Sequence, residues 1–213
     1  MTALPELVRA ERAAFLDLLE TLTPQEWACP SLCGAWTVQE VAAHLAVAPI
    51  EPPWHTLALV ARYRSINRAN AEAARAWARR GPEAIVAQLR GNAADGARPF
   101  GVSPALALAD AVVHGLDVRR PLGRHRAVPP EAFARVADTT LALRGPLTVV
   151  IGGSPRKRVR DVRLVADGID WRHGEGPEMR GSPEALILLL NGRSVGRDEL
   201  SGPGAPAILA RLR

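Results

Sequence analysis

The apolar residues of this chain change their spacing in its second half, and that change constrains the fold more than any other feature. Before it, apolar side chains recur three and four positions apart. Over residues 4–22 they fall at Leu7, Ala10, Ala14, Leu18 and Leu22, which places them along one face of a helix. Thr23-Pro24 breaks this run. The next helix spans residues 38–47, with Thr37 as its cap and Glu40 three residues on completing a capping box. Pro49, Pro52 and Pro53 end it. The pattern predicts a long helix over residues 54–80, stopped at Gly81-Pro82, and a shorter one over 83–92. A further helix starts at Ser103-Pro104 and runs through Asp110 and His114 to about residue 119.

Beyond Pro129-Pro130 one more helix is expected over 131–143, and then the period shortens. Residues 147–151 read as a strand ended by Gly152-Gly153. Residues 159–166 alternate Val162, Leu164 and Ala166 with Asp161 and Arg163, which predicts a second strand. Asp167-Gly168 is a hairpin turn signal, with a returning strand over 169–172. Met179 begins a short fourth strand. Ser182-Pro183-Glu184 caps a helix over 185–190 that Asn191-Gly192 stops, and residues 205–213 form a terminal helix. The chain therefore reads as α+β, divided into a helical part (residues 1–127) and a small α/β part (residues 128–213).

With 213 residues, 47% of them apolar, the chain can bury one generous core or two small ones. It holds no run of 18 apolar residues, so no membrane span is expected. Residues 1–20 lack the pattern of a signal peptide, and a cytoplasmic protein is the expectation. In that compartment Cys29 and Cys33 are not expected to form a disulfide. They have no second Cys or His pair nearby, so a structural zinc site is not expected there either. The net charge is +5, yet of the 27 basic residues only Lys157 is lysine, and the arginines are interspersed with 22 acids. This matches the codon bias of a GC-rich genome better than a nucleic-acid surface. The one dense cluster, Arg156, Lys157, Arg158 and Arg160, reads as a solvated loop.

Chemistry concentrates at three residues. Asp110 and His114 lie four apart on one helix, ~40° and ~6 Å from each other, and point off the same face. They either hold two positions of a metal or hydrogen-bond to each other. His44 lies on the helix over residues 38–47, whose apolar face includes Val38, Val41, Ala42 and Leu45. A histidine so placed is either a core residue or a third ligand. Two histidines and one acid from two helices of a bundle suit a three-ligand zinc site whose fourth position is open. Asp117, one turn beyond His114, is either an acceptor that orients the imidazole or a surface acid. Trp36 reads as a hydrophobic anchor at the helix start in preference to a pocket wall. His55, His125 and His173 have no matching acids and read as structural or solvent-facing. The P-loop, the GxGxxG turn and the GxSxG elbow are missing.

Three segments carry a resemblance. Residues 31–45 (SLCGAWTVQEVAAHL), residues 110–123 (DAVVHGLDVRRPLG) and the stretch DWRHGEGPEMRGSPEAL from Asp170, followed by Asn191-Gly192-Arg193, resemble the mycothiol-dependent maleylpyruvate isomerase family. The resemblance implies a DinB-like four-helix bundle joined to a small, sterol-carrier-like α/β domain. It also implies a divalent metal, usually zinc, held by His44, Asp110 and His114; Asp110 stands where the family's acid is Glu, one methylene longer. The family's best-known member isomerises a cis alkene in a dicarboxylic keto acid, with mycothiol as the thiol. A zinc-bound thiol loses its proton because the cation stabilises the thiolate, so neither protein cysteine is needed as nucleophile. The resemblance thus implies a metal- and mycothiol-dependent isomerase or S-transferase acting on a small electrophile, from an actinobacterial source. The alternative is a non-catalytic metal- or small-ligand-binding module of the same fold. No nucleic-acid or membrane partner is expected, and the sequence does not speak to oligomeric state.

Overall fold

The structure, a computed structural model, describes residues 2–34 and 36–211. The chain divides into two compact units, Met1–His125 and Arg126–Arg213. The first is helical: α1 (Leu4–Leu19), α2 (Pro24–Ala28), α3 (Val38–Val47), α4 (Pro53–Tyr63), α5 (Ile66–Ala78), α6 (Pro82–Ala94) and α7 (Pro104–Arg119). Helices α1, α3, α6 and α7 pack as a bundle, with α5 along α3 and α4 along α5. Its core joins Phe15, Leu18 and Leu19 of α1 to Val38, Val41 and Ala42 of α3, Ile85 and Leu89 of α6 and Val118 of α7.

The second unit contains α8 (Pro130–Ala142), α9 (Pro155–Arg158), α10 (Pro183–Leu190) and α11 (Ala205–Arg211), with β1 (Arg163–Ala166), β2 (Arg172–His173), β3 (Glu178–Gly181) and β4 (Leu200–Ser201). The sheet order is β2-β1-β3-β4. The β1–β3 pair is parallel and the other two pairs are antiparallel. All six residues from Ala185 to Leu190 are buried, and α10 packs on α8 and β3. The fold is α+β, as the change of period implied.

The expected caps form. Thr37 Oγ1 accepts from the Glu40 N–H at 3.2 Å, while Glu40 Oε2 accepts from the Thr37 N–H at 2.8 Å. Ser103 accepts from the Leu106 N–H to start α7, and Ser182 accepts from the Ala185 N–H to start α10. Gly192 ends α10 at φ 74°, where a Cβ would lie 2.7 Å from the Ile151 carbonyl oxygen, so glycine is required there.

Several expectations are corrected. The single helix over 54–80 is two. Arg64 takes a left-handed φ of 53°, and Ser65 begins α5 by accepting from the Arg68 N–H. Thr23-Pro24 does more than end α1, because Thr23 and Glu26 form a capping box for α2. The strand over 147–151 is instead a 3-10 helix, Gly145–Ile151. Pro146 at its start removes a donor, and Thr148 bonds back to the Gly145 carbonyl. The strand over 159–166 is confined to β1, because Asp161 adopts φ 63°. The returning strand lies at β2 rather than 169–172, across the hairpin closed by Ala166 N–H to the Trp171 carbonyl at 3.1 Å. The last two residues of the terminal helix lie outside the described residues. The basic cluster is not merely solvated. Arg158 donates to the carbonyls of Leu190 and Gly152, and Arg156 to that of Leu141. Among the described residues no helix is long and apolar enough to cross a membrane.

Candidate metal centre

Helix α3 packs on α7, and this contact brings His44 to Asp110 and His114. Asp110 Oδ1 lies 3.4 Å from His114 Nε2 and 3.9 Å from His44 Nε2. One donor atom from each of the three residues falls within 4.8 Å of the other two. A tetrahedral zinc with bonds of about 2.0–2.1 Å holds its ligand atoms about 3.3–3.5 Å apart; the Asp110–His114 pair already stands at 3.4 Å, and His44 would move inward to share one cation. The donor set, two imidazole nitrogens and one carboxylate oxygen, is the chemistry a borderline divalent ion takes. The residues present fit the group.

The surroundings prepare His114 for that role. Asp117 is fully buried, and its Oδ2 lies 2.9 Å from His114 Nδ1. The contact fixes the imidazole so that Nε2 faces Asp110 and His44. Of the two readings that the spacing allowed for Asp117, surface acid is excluded. Trp36 lies against both histidines, with ring centroids 5.2 Å from His44 and 6.2 Å from His114, nearly parallel to the latter. It is a wall of the cluster, and it also packs on the hydrophobic core as an anchor would. The two histidine rings meet edge to face at 5.1 Å.

A loop from Pro30 to Thr37 carries Trp36 and Cys33 to this place. Ser31 Oγ donates to the Trp36 carbonyl at 2.8 Å and accepts from the Cys33 N–H at 3.0 Å. The Leu32 N–H donates to the Asp117 carbonyl at 3.0 Å, tying the loop to α7. Cys33 Sγ thereby joins a second group of neighbouring donors with His114 and Asp117. The sequence reading missed this neighbour. Its only signal was the position of Cys33 within the segment 31–45, three residues before Trp36.

The charges are strongly coupled. Burial opposes ionisation of Asp110, but hydrogen bonds from His114 and His44 outweigh it and hold the carboxyl well below the ordinary carboxylate range. Burial likewise opposes a charged His114, yet Asp110, Asp117 and Cys33 together raise its pKa well above that of a free imidazole. Without a cation the cluster is a carboxylate–imidazolium pair, and a metal entering it must displace the His114 proton. The remaining histidines stand apart: His55 pairs with Glu51, His173 stacks on Trp171, and His125 is exposed. Cys29 and Cys33 form no disulfide.

Residues 8–98 match the family model described as the mycothiol maleylpyruvate isomerase N-terminal domain. His44 lies within that match, while Asp110 and His114 lie beyond it. No curated protein matches the chain. Two solved structures, the mycothiol-dependent maleylpyruvate isomerase and a histidine-to-alanine mutant of it, each superpose with a TM-score of 0.63 at 14% identity, over 96% of this chain and 97% of theirs. At that identity the likeness concerns the fold. Over residues 8–98 this chain is similar to the mycothiol maleylpyruvate isomerase N-terminal domain.

Proposed function

We propose that this chain is a divalent-metal-dependent enzyme that uses mycothiol as its thiol and acts on a small electrophile, as an isomerase or an S-transferase. The observation that carries the reading is the convergence of His44, Asp110 and His114 from two helices, with Asp117 buried behind His114. The family match over residues 8–98 and the fold of the mycothiol-dependent maleylpyruvate isomerase support the choice of thiol. Zinc is the metal the donor set suits best, and the reading places the protein in the cytoplasm, where thiols stay reduced.

In this reading His44, Asp110 and His114 hold the metal. A bound cation supplies positive charge that lowers the pKa of a coordinated thiol toward neutrality. The chain's own residues do the rest. Asp117 fixes the His114 ring and keeps Nδ1 engaged, so that Nε2 is the free donor. Trp36 covers the two imidazoles from one side and limits access of water. Asp110, about a third exposed, is the ligand that faces solvent, and a substrate approaches from its side.

Metal analysis of protein purified without added metal is expected to find about one zinc per chain, and His44→Ala to abolish it. Full metal retention by His44→Ala would sink the ligand set. The metal-loaded protein is expected to consume mycothiol with at least one of a panel of cis-alkene, epoxide and alkyl-halide electrophiles. No consumption with any of them would replace the enzyme reading by that of a non-catalytic binding module.

A further inference from the structure

Beside the metal cluster the first unit holds a cleft of about 560 Å³, counting its open mouth. Its walls are apolar: Phe15 and Leu16 of α1, Leu45 of α3, Leu89 of α6 and Val102 before α7 all contribute, and Asp110 lines it too. The cleft and the metal cluster thus share a residue. The cleft opens to solvent, so a ligand would lie partly in its mouth, with the few polar groups fixing orientation.

One cationic side chain lines this cleft, that of Arg12. It is half-buried, and burial together with the neighbouring Arg98 outweighs the attraction of Asp110, so its pKa is lowered. Its hydrogen bond among the described residues runs to the Asn92 carbonyl at the long distance of 3.5 Å. Asn92 is itself engaged elsewhere, donating to the Ala46 carbonyl at 2.8 Å and accepting from Gln88. Asp110 is committed to the two histidines. A guanidinium offers five donors in a fork that matches a carboxylate, and among the described residues most of those on Arg12 have no protein acceptor.

We infer that the cleft takes a predominantly apolar molecule carrying a single carboxylate, which Arg12 binds while the apolar part lies among Phe15, Leu45, Leu89 and Val102. Arg12 is the one cation among the lining residues, so in the metal-free chain a second carboxylate finds no positive partner, which there distinguishes this ligand from a dicarboxylate. As an assignment of the substrate class, this rests on the proposed function, because Asp110 is what joins the cleft to the metal. The binding of the carboxylate to Arg12 does not need the metal.

Titration calorimetry with cinnamate, cinnamamide and 4-carboxycinnamate, on the zinc-loaded chain and on the chain stripped by chelator, tests it. Cinnamate is expected to bind at least about tenfold more tightly than cinnamamide in both preparations, one charge-assisted contact being worth that much. In the stripped chain it should also bind more tightly than 4-carboxycinnamate. Arg12→Gln is expected to erase the preference for the acid and leave cinnamamide binding unchanged, while Arg12→Lys keeps part of it. Should the glutamine variant fail to fold, the acid–amide comparison on the unchanged chain decides alone. Equal affinity for acid and amide, tighter binding of the dicarboxylate to the stripped chain, no binding of any probe, or a preference present only with zinc would each overturn the inference. Loss of zinc binding with the cinnamate preference intact would instead defeat the proposed function and leave Arg12 as the anion site.

Discussion

The two units of this chain bury different things. The second has an apolar core: α10 contributes six consecutive buried residues, joined by Phe133, Val136 and Leu141 of α8, Leu164 of β1 and Met179 of β3. Among the described residues its buried polar ones are Thr140 and Asn191, neither of them ionisable. The first unit buries Glu11, His114 and Asp117 along with Asn92. Removing a charge from water costs several kcal/mol unless it is paired and hydrogen-bonded. The first unit buries an imidazole and a carboxylate, and the pairing of Asp117 with His114 is what makes their burial tolerable. Both units have apolar cores, and among the described residues the buried ionisable side chains belong to the first.

Four experiments test that contrast. The largest effect is expected from His114→Ala, which removes one ligand and orphans the buried Asp117 carboxylate. Zinc affinity should fall by about a thousandfold or more in a chelator-competition assay, as a three-ligand protein site drops to two. If zinc affinity stayed within tenfold, metal binding would belong elsewhere in the chain. Leu188→Ala, in the middle of α10 and fully buried, should cost about 2–5 kcal/mol in denaturant unfolding. Zinc affinity should not change, and a variant that lost zinc along with stability would erase the distinction between the units. Asp117→Asn keeps the size of the side chain but removes its charge. Zinc affinity is expected to fall about 10–100-fold, the range for residues that orient a ligand, and an unchanged affinity would reduce Asp117 to a packing role.

The smallest effect is a pH trend. The His114 pKa is raised in the folded, metal-free chain. Its stabilising contribution is therefore fully present below the free imidazole value of about 6.5 and is lost as pH rises through the folded value. The Asp110 pKa is depressed, so its contribution is present above the ordinary carboxylate value of about 3.9 and is lost as pH falls below it. Metal-free protein should lose stability as pH climbs above about 6.5. Zinc affinity should move the other way, rising by up to about tenfold per pH unit while one proton is displaced. Parallel thermal-melt and zinc-competition series across pH 5–9 would show the two slopes; slopes of the same sign would mean that zinc and the His114 proton do not compete.

Local signals carried far. Thr37 with Glu40, Ser103-Pro104 and Ser182-Pro183 each name a helix start, because a side-chain oxygen at those positions satisfies N–H groups the helix leaves open. The Asp110–His114 pair was legible because four residues is one turn. The break between α4 and α5 was less so: its signal is one serine, Ser65, after an arginine in a left-handed conformation. The stretch 147–151 misled because Val149, Val150 and Ile151 favour strands only where a partner strand exists.

Which residues cap, which face of each helix is apolar, and that Asp110 and His114 point the same way were all written in the order of residues. Those are properties of neighbours along the chain, set by backbone geometry within a turn or two. Helix packing alone settled that His44 meets them, that Asp117 is buried behind His114, that Trp36 is a wall, and that Cys33 and Arg12 stand beside the cluster. Nearly all of these contacts join residues far apart in the chain. They are set by how α1, α3 and α7 pack, a choice made by the whole core.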